Sequence, residues 1–476
     1  MRTLAISLAP LGAAILLAGC EAVGPNFLRP AAIVSPEYKE IAGWKVASPR
    51  ANEPKGAWWT VFRDPGLDRL EEAVAISNQT IKADEANYRQ ALALINEARS
   101  GLYPSVAGAG SAERGSSAGT ILTAEASGQW MLDIWGQIRR EIESQQAGAE
   151  TAAANLANAR LAAQSALALA YFTMREADSL EDLLRQTVEQ YKRSLEIAQN
   201  QYDAGTAAKS DVITAQAQVL NAQSQLIAAG VSRAQSEHAI AVLMGRPPAG
   251  LSVPPGALPA SIPRIPVNLP SELLERRPDI ASAEEAMRQA NAEIGVAFAG
   301  YFPQISLSGL FGYSGNPAVA SLSNNPVWSF GSSLAQPLFN GGSTGAQVEA
   351  AREIYNASVA TYRQTVLTAI QQVEDNLAAI RIYSRQTKVQ TENVRISRQA
   401  TQIALNEYRA GTQAFTTVVT NEAQQLLAEE SELATRAQLH FAAVNLIAAL
   451  GGGWNVAKLP DAAAESKTTG AVPPSD

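Results

Sequence analysis

The sequence predicts a mainly α-helical chain with a membrane β-barrel component, built as a tandem duplication of long-helix hairpins that carry four strands. Three observations predict it. Two proline-free runs of about 67 residues, Gly136 to Tyr202 and Gly342 to Tyr408, have the length and pattern of helices. Each ends in the same kind of turn, Tyr202-Asp-Ala-Gly-Thr206 and Tyr408-Arg-Ala-Gly-Thr412. Each is preceded by a pair of Gly- and Ser-rich extended segments.

The helical assignment rests on the second run. Tyr355, Val359, Tyr362, Val366, Ile370, Val373, Leu377 and Ile380 recur at steps of three and four. That is a narrow apolar stripe of the kind used at a seam between neighbouring helices. At 1.5 Å per residue such a helix is roughly 100 Å long, against about 11–12 residues for an ordinary helix. One stripe alone fits a dimeric coiled coil equally well. The repetition, with a period of about 200, favours a duplicated architecture. After each long run comes a shorter helical run, closing at Leu243-Met-Gly and at Ala449-Leu-Gly. Upstream of each lie Tyr103-Pro104 and Phe302-Pro303.

Taken in order, residues 1–19 read as a secretory signal: Arg2 is a minimal positive region and Leu4 to Leu17 is mostly apolar. Leu17-Ala18-Gly19-Cys20 resembles the lipobox of bacterial lipoproteins. There the cysteine becomes the first residue and carries an N-acyl and an S-diacylglycerol group. Cys20 is the only cysteine, so it has no intramolecular disulfide partner. Glu21, not Asp, follows it, which in such lipoproteins implies export to the outer membrane. Residues 20–65 are a Pro-rich strap with Trp44, Trp58 and Trp59, expected to lie along a partner surface with the tryptophans as packing anchors.

Residues 66–245 form the first repeat. Its opening helix runs from about Gly66 to Leu102, started by Asp64-Pro65 and stopped by Tyr103-Pro104. A β-hairpin follows over 105–134. Residues 246–276 are a Pro-rich linker on the outside of the assembly, with Ser271 marking a helix start and Pro278 a second one. Residues 277–454 form the second repeat, with its hairpin over 303–339. Here Ile305, Leu307, Phe311 and Tyr313 alternate with Ser306, Ser308 and Gly312, and Trp328, Phe330 and Leu334 with Ser329, Gly331 and Ser333. Period-two alternation with aromatics at the ends fits strands of a membrane barrel, apolar outward and small or polar inward. A half-buried soluble sheet shows the same alternation, but a length of about 10 residues suits a tilted membrane crossing. Transmembrane barrels need at least about 8 strands, because open edges leave backbone groups unpaired in lipid. Several copies of a four-stranded chain must therefore share one barrel. Residues 455–476 read as a flexible polar tail.

Composition excludes several classes. The formal charge of −8 and the lack of a Lys/Arg cluster argue against nucleic acid. His238, His440 and one cysteine leave no material for a typical zinc site. The two histidines read as duplicated helix-surface residues. No phosphate loop appears, and Gly312-Tyr-Ser-Gly315 falls short of the Gly-x-Ser-x-Gly spacing. The chain reads as no enzyme and as needing no cofactor beyond the lipid on Cys20.

These motifs together resemble the outer-membrane factor family, the TolC/OprM-type channels, and most closely its NodT-like efflux lipoprotein branch. The resemblance is carried by the lipobox, Val23-Gly-Pro25, Trp59 to Leu70, Trp130 to Gly136, Leu269 to Ile280, Tyr301 to Ser306, Pro337 to Gly342 and Leu450 to Trp454. It implies a homotrimer with a 12-stranded β-barrel in the outer membrane, continued by a 12-helix α-barrel into the periplasm. It implies the exit duct of a tripartite efflux pump, with a periplasmic adaptor and an inner-membrane transporter of the resistance-nodulation-division (RND) type. The alternatives are a duct for secreted protein or peptide, and a non-conducting coiled-coil tether. The resemblance places a periplasmic gate at Asp211 and Tyr408, and adaptor docking at Gly205, Thr206, Gly411 and Thr412. Aspartates that ring the pore in relatives fall here at Thr417 or Thr420, and a basic gate partner is replaced by Gln413. Cation selectivity at the tip is therefore not carried over to this chain.

Overall fold

The fold was read from a computed structural model that describes residues 22–40, 56–115, 119–265, 272–316, 326–454, 457 and 459–469. The signal segment, Cys20, Trp44 and Ser271 lie outside these residues. The helices are α1 (Pro65–Ser77), α2 (Gln79–Ser100), α3 (Gln137–Asp203), α4 (Lys209–Leu243), the short α5 (Leu273–Arg276), α6 (Pro278–Ala299), α7 (Ser343–Arg409), α8 (Phe415–Ala449) and α9 (Ala462–Thr469). The strands are β1 (Ser105–Gly115), β2 (Gly119–Leu132), β3 (Gln304–Gly315) and β4 (Pro326–Ala335).

In the long hairpins the duplication is regular to the residue. The long helices α3 and α7 are both 67 residues, and α4 and α8 are both 35. The second set begins 206 residues after the first (343 against 137). Each long helix is preceded by a left-handed glycine, Gly136 at φ 80° and Gly342 at φ 88°, a conformation that costs other residues. Asp133 seats the start of α3 by accepting from the Ile138 N–H at 2.9 Å and the Arg139 N–H at 3.1 Å.

The four strands form one antiparallel sheet in the order β1-β2-β3-β4. Its register sets Trp130 opposite Leu307 and Phe311 opposite Trp328 on one face. On the other, the Thr123 and Ser314 hydroxyls meet at 3.3 Å and those of Ser306 and Ser333 at 2.8 Å. Within one chain β1 and β4 each pair on one side only. At the junction of strands and helices, the Trp135 indole stacks on Phe302 at 4.8 Å and donates to the Pro303 carbonyl at 2.8 Å. Among the described residues no helix is long and apolar enough to cross a membrane.

The main core lies where α1, the middle of α3 and α7 and the C-terminal half of α8 converge, around Leu67, Leu167, Phe172, Met174 and Leu446. From the predicted stripe, Tyr362, Val366, Val373, Leu377 and Ile380 are buried there, and Tyr355, Val359 and Ile370 pack against them. Removing such side chains costs about 2–5 kcal/mol each. Trp58 and Trp59 are buried packing anchors, as expected.

Three expectations need correction, and the strap gains contacts within its own chain. The first helix is two, because Asn78 adopts extended backbone (ψ 128°) and caps α2 by accepting from Thr80 and Ile81. Its amide also donates to the Leu243 carbonyl at 2.7 Å, which ties the break to the end of α4. The strap over 22–40 follows the chain's own helices. Buried Arg140 donates to the carbonyls of Ala22, Val23 and Gly24, Arg29 pairs with Glu284 at 2.8 Å, and the N–H groups of Lys39 and Glu40 reach the Glu374 carboxylate. The tail is ordered over α9, which docks on α2: Ala462 is buried, Arg99 donates to the Ala463 carbonyl at 3.0 Å, and Tyr88 donates to Glu465 at 2.6 Å. Finally, only His238 is on the surface. His440 is buried against Phe172, its Nδ1 2.8 Å from the Arg436 carbonyl, and burial lowers its pKa.

Candidate gate at the helical tip

The two turns that close the long helices are near copies. After α3, the Gly205 N–H donates to Tyr202 O at 2.8 Å, and both the N–H and the hydroxyl of Thr206 donate to Gln201 O at 2.9 Å. After α7, the Gly411 N–H donates to Tyr408 O, and the N–H and hydroxyl of Thr412 to Glu407 O, all at 3.0 Å. Gly205 and Gly411 stand at φ 75° and 73° with open space where a Cβ would point. The glycines are thus required by backbone conformation, not by crowding. The threonines cap helix carbonyls that would otherwise lack a donor. All four residues are exposed.

Behind the turns lies a small core of Ala198, Ala215, Ala404, Tyr408, Phe415 and Val418. It is the place where the two hairpins touch near the tip. Tyr408 is buried with its ring 5.0 Å from Phe415, and its hydroxyl reaches Asp211 Oδ2 at 3.4 Å, a long hydrogen bond. Burial and the Asp211 carboxylate push the Tyr408 phenol up to about 12. The structure therefore brings Asp211 and Tyr408 together. Gln413, Thr417 and Thr420 form their hydrogen bonds within the second repeat: Gln413 accepts from Ala414 N–H, Thr417 O accepts from Asn421, and Thr420 donates to Thr416 O.

Two contacts between the repeats were not read from the sequence. Gln201 Nε2 donates to Tyr408 O at 3.0 Å and to Arg409 O at 3.4 Å. The repeat itself held a signal: the position that matches Gln201 is Glu407, which cannot donate when ionised. About two turns further from the tip, buried Ser194 donates to the buried Glu422 carboxylate at 2.5 Å. Burial pushes Glu422 up to about 7, and the Ser194 hydroxyl opposes this. The neighbouring Tyr191 phenol is raised by burial and by Glu422, Glu430 and Glu429. Each such bond is worth about 0.5–1.5 kcal/mol net, added to the apolar contacts of the small core. No group of residues that could hold a metal ion occurs among the described residues.

Duplicated helical hairpins beneath a four-stranded sheet, with an apolar aromatic face and a Ser/Thr face, define a protomer of an outer-membrane channel. The family described as "Outer membrane efflux protein" matches residues 71–246 and 269–452, and the chain belongs to that family. It is similar to the probable efflux pump outer membrane protein TtgC of Pseudomonas putida, at 27% identity over 93% of this chain and 94% of that one. It is also similar to nodulation protein T of Rhizobium leguminosarum bv. trifolii, at 28% identity over 93% of this chain and 96% of that one. Among solved structures, the outer-membrane channel OprN superposes with a TM-score of 0.83 at 29% identity, over 91% of this chain and 99% of that one. The family places the sheet in the outer membrane and the hairpins in the periplasm.

Proposed function

We propose that three copies of this chain form the exit duct of a tripartite efflux pump, passing small toxic compounds from the periplasm to the outside. The observation that carries the trimer is the pair of half-paired edge strands, β1 and β4. Edges exposed in lipid are not tolerated, and three copies supply 12 strands. The helical flanks support it: α4 presents exposed Ile213, Leu220, Ile227 and Val231, and α7 presents exposed Val389, Ile396 and Ile403. Apolar rows of this kind suit a neighbouring subunit better than water. The relative named as an efflux pump component supports small molecules as cargo. The exposed tip residues Gly205, Thr206, Gly411 and Thr412 are the docking points for a periplasmic adaptor, and an RND-type inner-membrane transporter supplies the energy. Cys20 carries the lipid that anchors the strap.

Native mass spectrometry of the detergent-solubilised protein is expected to give a trimer, each chain beginning at Cys20 with acyl groups added. A stable monomer, or an unmodified cysteine, removes the corresponding part of the reading. Crosslinking in cells followed by purification should recover adaptor and transporter with the trimer, and a deletion strain should gain drug sensitivity. A deletion that impairs protein secretion and leaves drug sensitivity unchanged would instead identify a protein duct.

A further inference from the structure

The sheet carries very few charges, and the register sorts them by face. Among the described strand residues the only carboxylates are Glu113 and Glu125, and the only cation is Arg114. Glu125 pairs with Ala109 of β1 and Gly312 of β3. Strand alternation puts it on the face of Thr123 and Ser127, the face where the cross-strand hydroxyl pairs occur. Glu113 pairs with Ile121, two residues from Thr123, and so shares that face. Its apolar members are Ile121, Met131, Leu310 and Val327. Arg114 falls on the opposite face, one residue from the end of β1. There its long stem can carry the guanidinium to the lipid headgroups.

The two carboxylates sit at different depths. Four residues along β1 separate Glu113 from the partner of Glu125, about 14 Å at roughly 3.4 Å per residue. Glu113 lies near the loop end of the hairpin, and Glu125 lies near the middle of β2. A carboxylate at mid-membrane depth persists where it faces water. The facing strand makes room for it: a Cβ on Gly312 would come within 2.7 Å of Glu125 Cα and Cβ. Among the described residues neither Glu113 nor Glu125 has an ion pair.

We infer that the strand-lined part of the duct favours cationic over anionic solutes, and that Glu125 and Glu113 of each chain are the residues that set this preference. The inference rests on the reading of the sheet as part of a shared barrel. In that barrel three chains supply two tiers of carboxylates and no opposing Lys or Arg from the described strands. One sign of charge between low-dielectric walls focuses the field along the passage. Rings of carboxylates act in this way in cation-conducting pores.

The test is local and independent of whether the tip is open. A cysteine is placed on the polar face, Ser329→Cys, and another on the apolar face, Ser332→Cys, in the full chain in cells. Membrane-impermeant thiosulfonates, one cationic and one anionic, are added from outside, and the parent protein without these cysteines sets the background. Ser329→Cys is expected to react faster with the cationic reagent, and Ser332→Cys to stay inert. Glu125→Gln with Glu113→Gln should lower the cationic-to-anionic rate ratio at Ser329→Cys by about threefold or more, with Glu125→Gln giving the larger part. A reactive Ser329→Cys whose ratio does not change on neutralisation overturns the inference and leaves the duct reading intact. An inert Ser329→Cys means that the polar face lines no water, and the duct reading falls with it.

Discussion

The two helical hairpins have the same lengths and the same turns, yet they exchange roles. In the first repeat the long helix α3 is the buried member and the short helix α4 the exposed one. In the second repeat the short helix α8 is buried along most of its length, and α7 is exposed beyond the central core. Matched positions make this concrete. Leu433 of α8 is 5% exposed, and its counterpart Ile227 of α4 is 79% exposed. Tyr408 is 4% exposed and Tyr202 is 40%. Asp211, the acid that meets Tyr408, corresponds to Thr417, so the first turn has no matching latch. Duplication copies elements; place in the wall of helices decides which face becomes core. The inner pair, α3 and α8, forms the seam of the protomer, and the outer pair keeps apolar side chains exposed.

The largest expected effect tests that exchange. Leu433→Ala should lower the stability of the protein by about 2–5 kcal/mol, the cost of emptying a buried leucine site. Ile227→Ala should leave protomer folding within about 0.5 kcal/mol while weakening subunit association. Thermal unfolding, with native mass spectrometry to follow association, separates the two. Equal losses of protomer stability would break the comparison.

The next effect is on the seam itself, and it depends on pH. Burial pushes Glu422 up to about 7 in the fold, above its ordinary value of 4.5. Between these values the folded state holds a proton that the unfolded state has released. Its favourable contribution is therefore complete below about 4.5 and is lost as pH rises to about 7, beyond which the slope ends. At about 1.4 kcal/mol per unit this amounts to about 3 kcal/mol. Glu422→Gln should flatten that part of the stability–pH curve. The first repeat carries Gln216 at the matching, exposed position, so its substitution by Glu should introduce no comparable slope. A wild-type curve that stays level from pH 4.5 to 7 would show that charge on Glu422 is tolerated at the seam.

The smallest effect is the latch. Tyr408→Phe with Asp211→Ala removes one long hydrogen bond per chain, worth about 0–1 kcal/mol, repeated in each subunit. Single-channel conductance should rise with the trimer intact, and Tyr202→Phe should change nothing. Should the double variant conduct like the wild type, the weight of closure falls on Gln201, whose replacement by Glu copies the second repeat and removes its donor.

The sequence by itself determined the elements. Spacing of three and four marked the long helices, Tyr-x-Ala-Gly-Thr their turns, and alternation the strands, because helix and turn hydrogen bonds are local and strand faces alternate by geometry. It also marked Asp211 and Tyr408 through a family resemblance. Only the tertiary structure decided which copy of each element is buried. The break at Asn78 depends on Leu243, the strap on Arg140 and Glu374, the tail on Arg99, and the seam on the meeting of Ser194 with Glu422. These contacts join residues far apart in the chain, so no local pattern records them. Two histidines of similar sequence context differ for the same reason: His440 lies on the seam and His238 on the outer wall. Burial belongs to the packed arrangement of the repeats and not to either repeat alone.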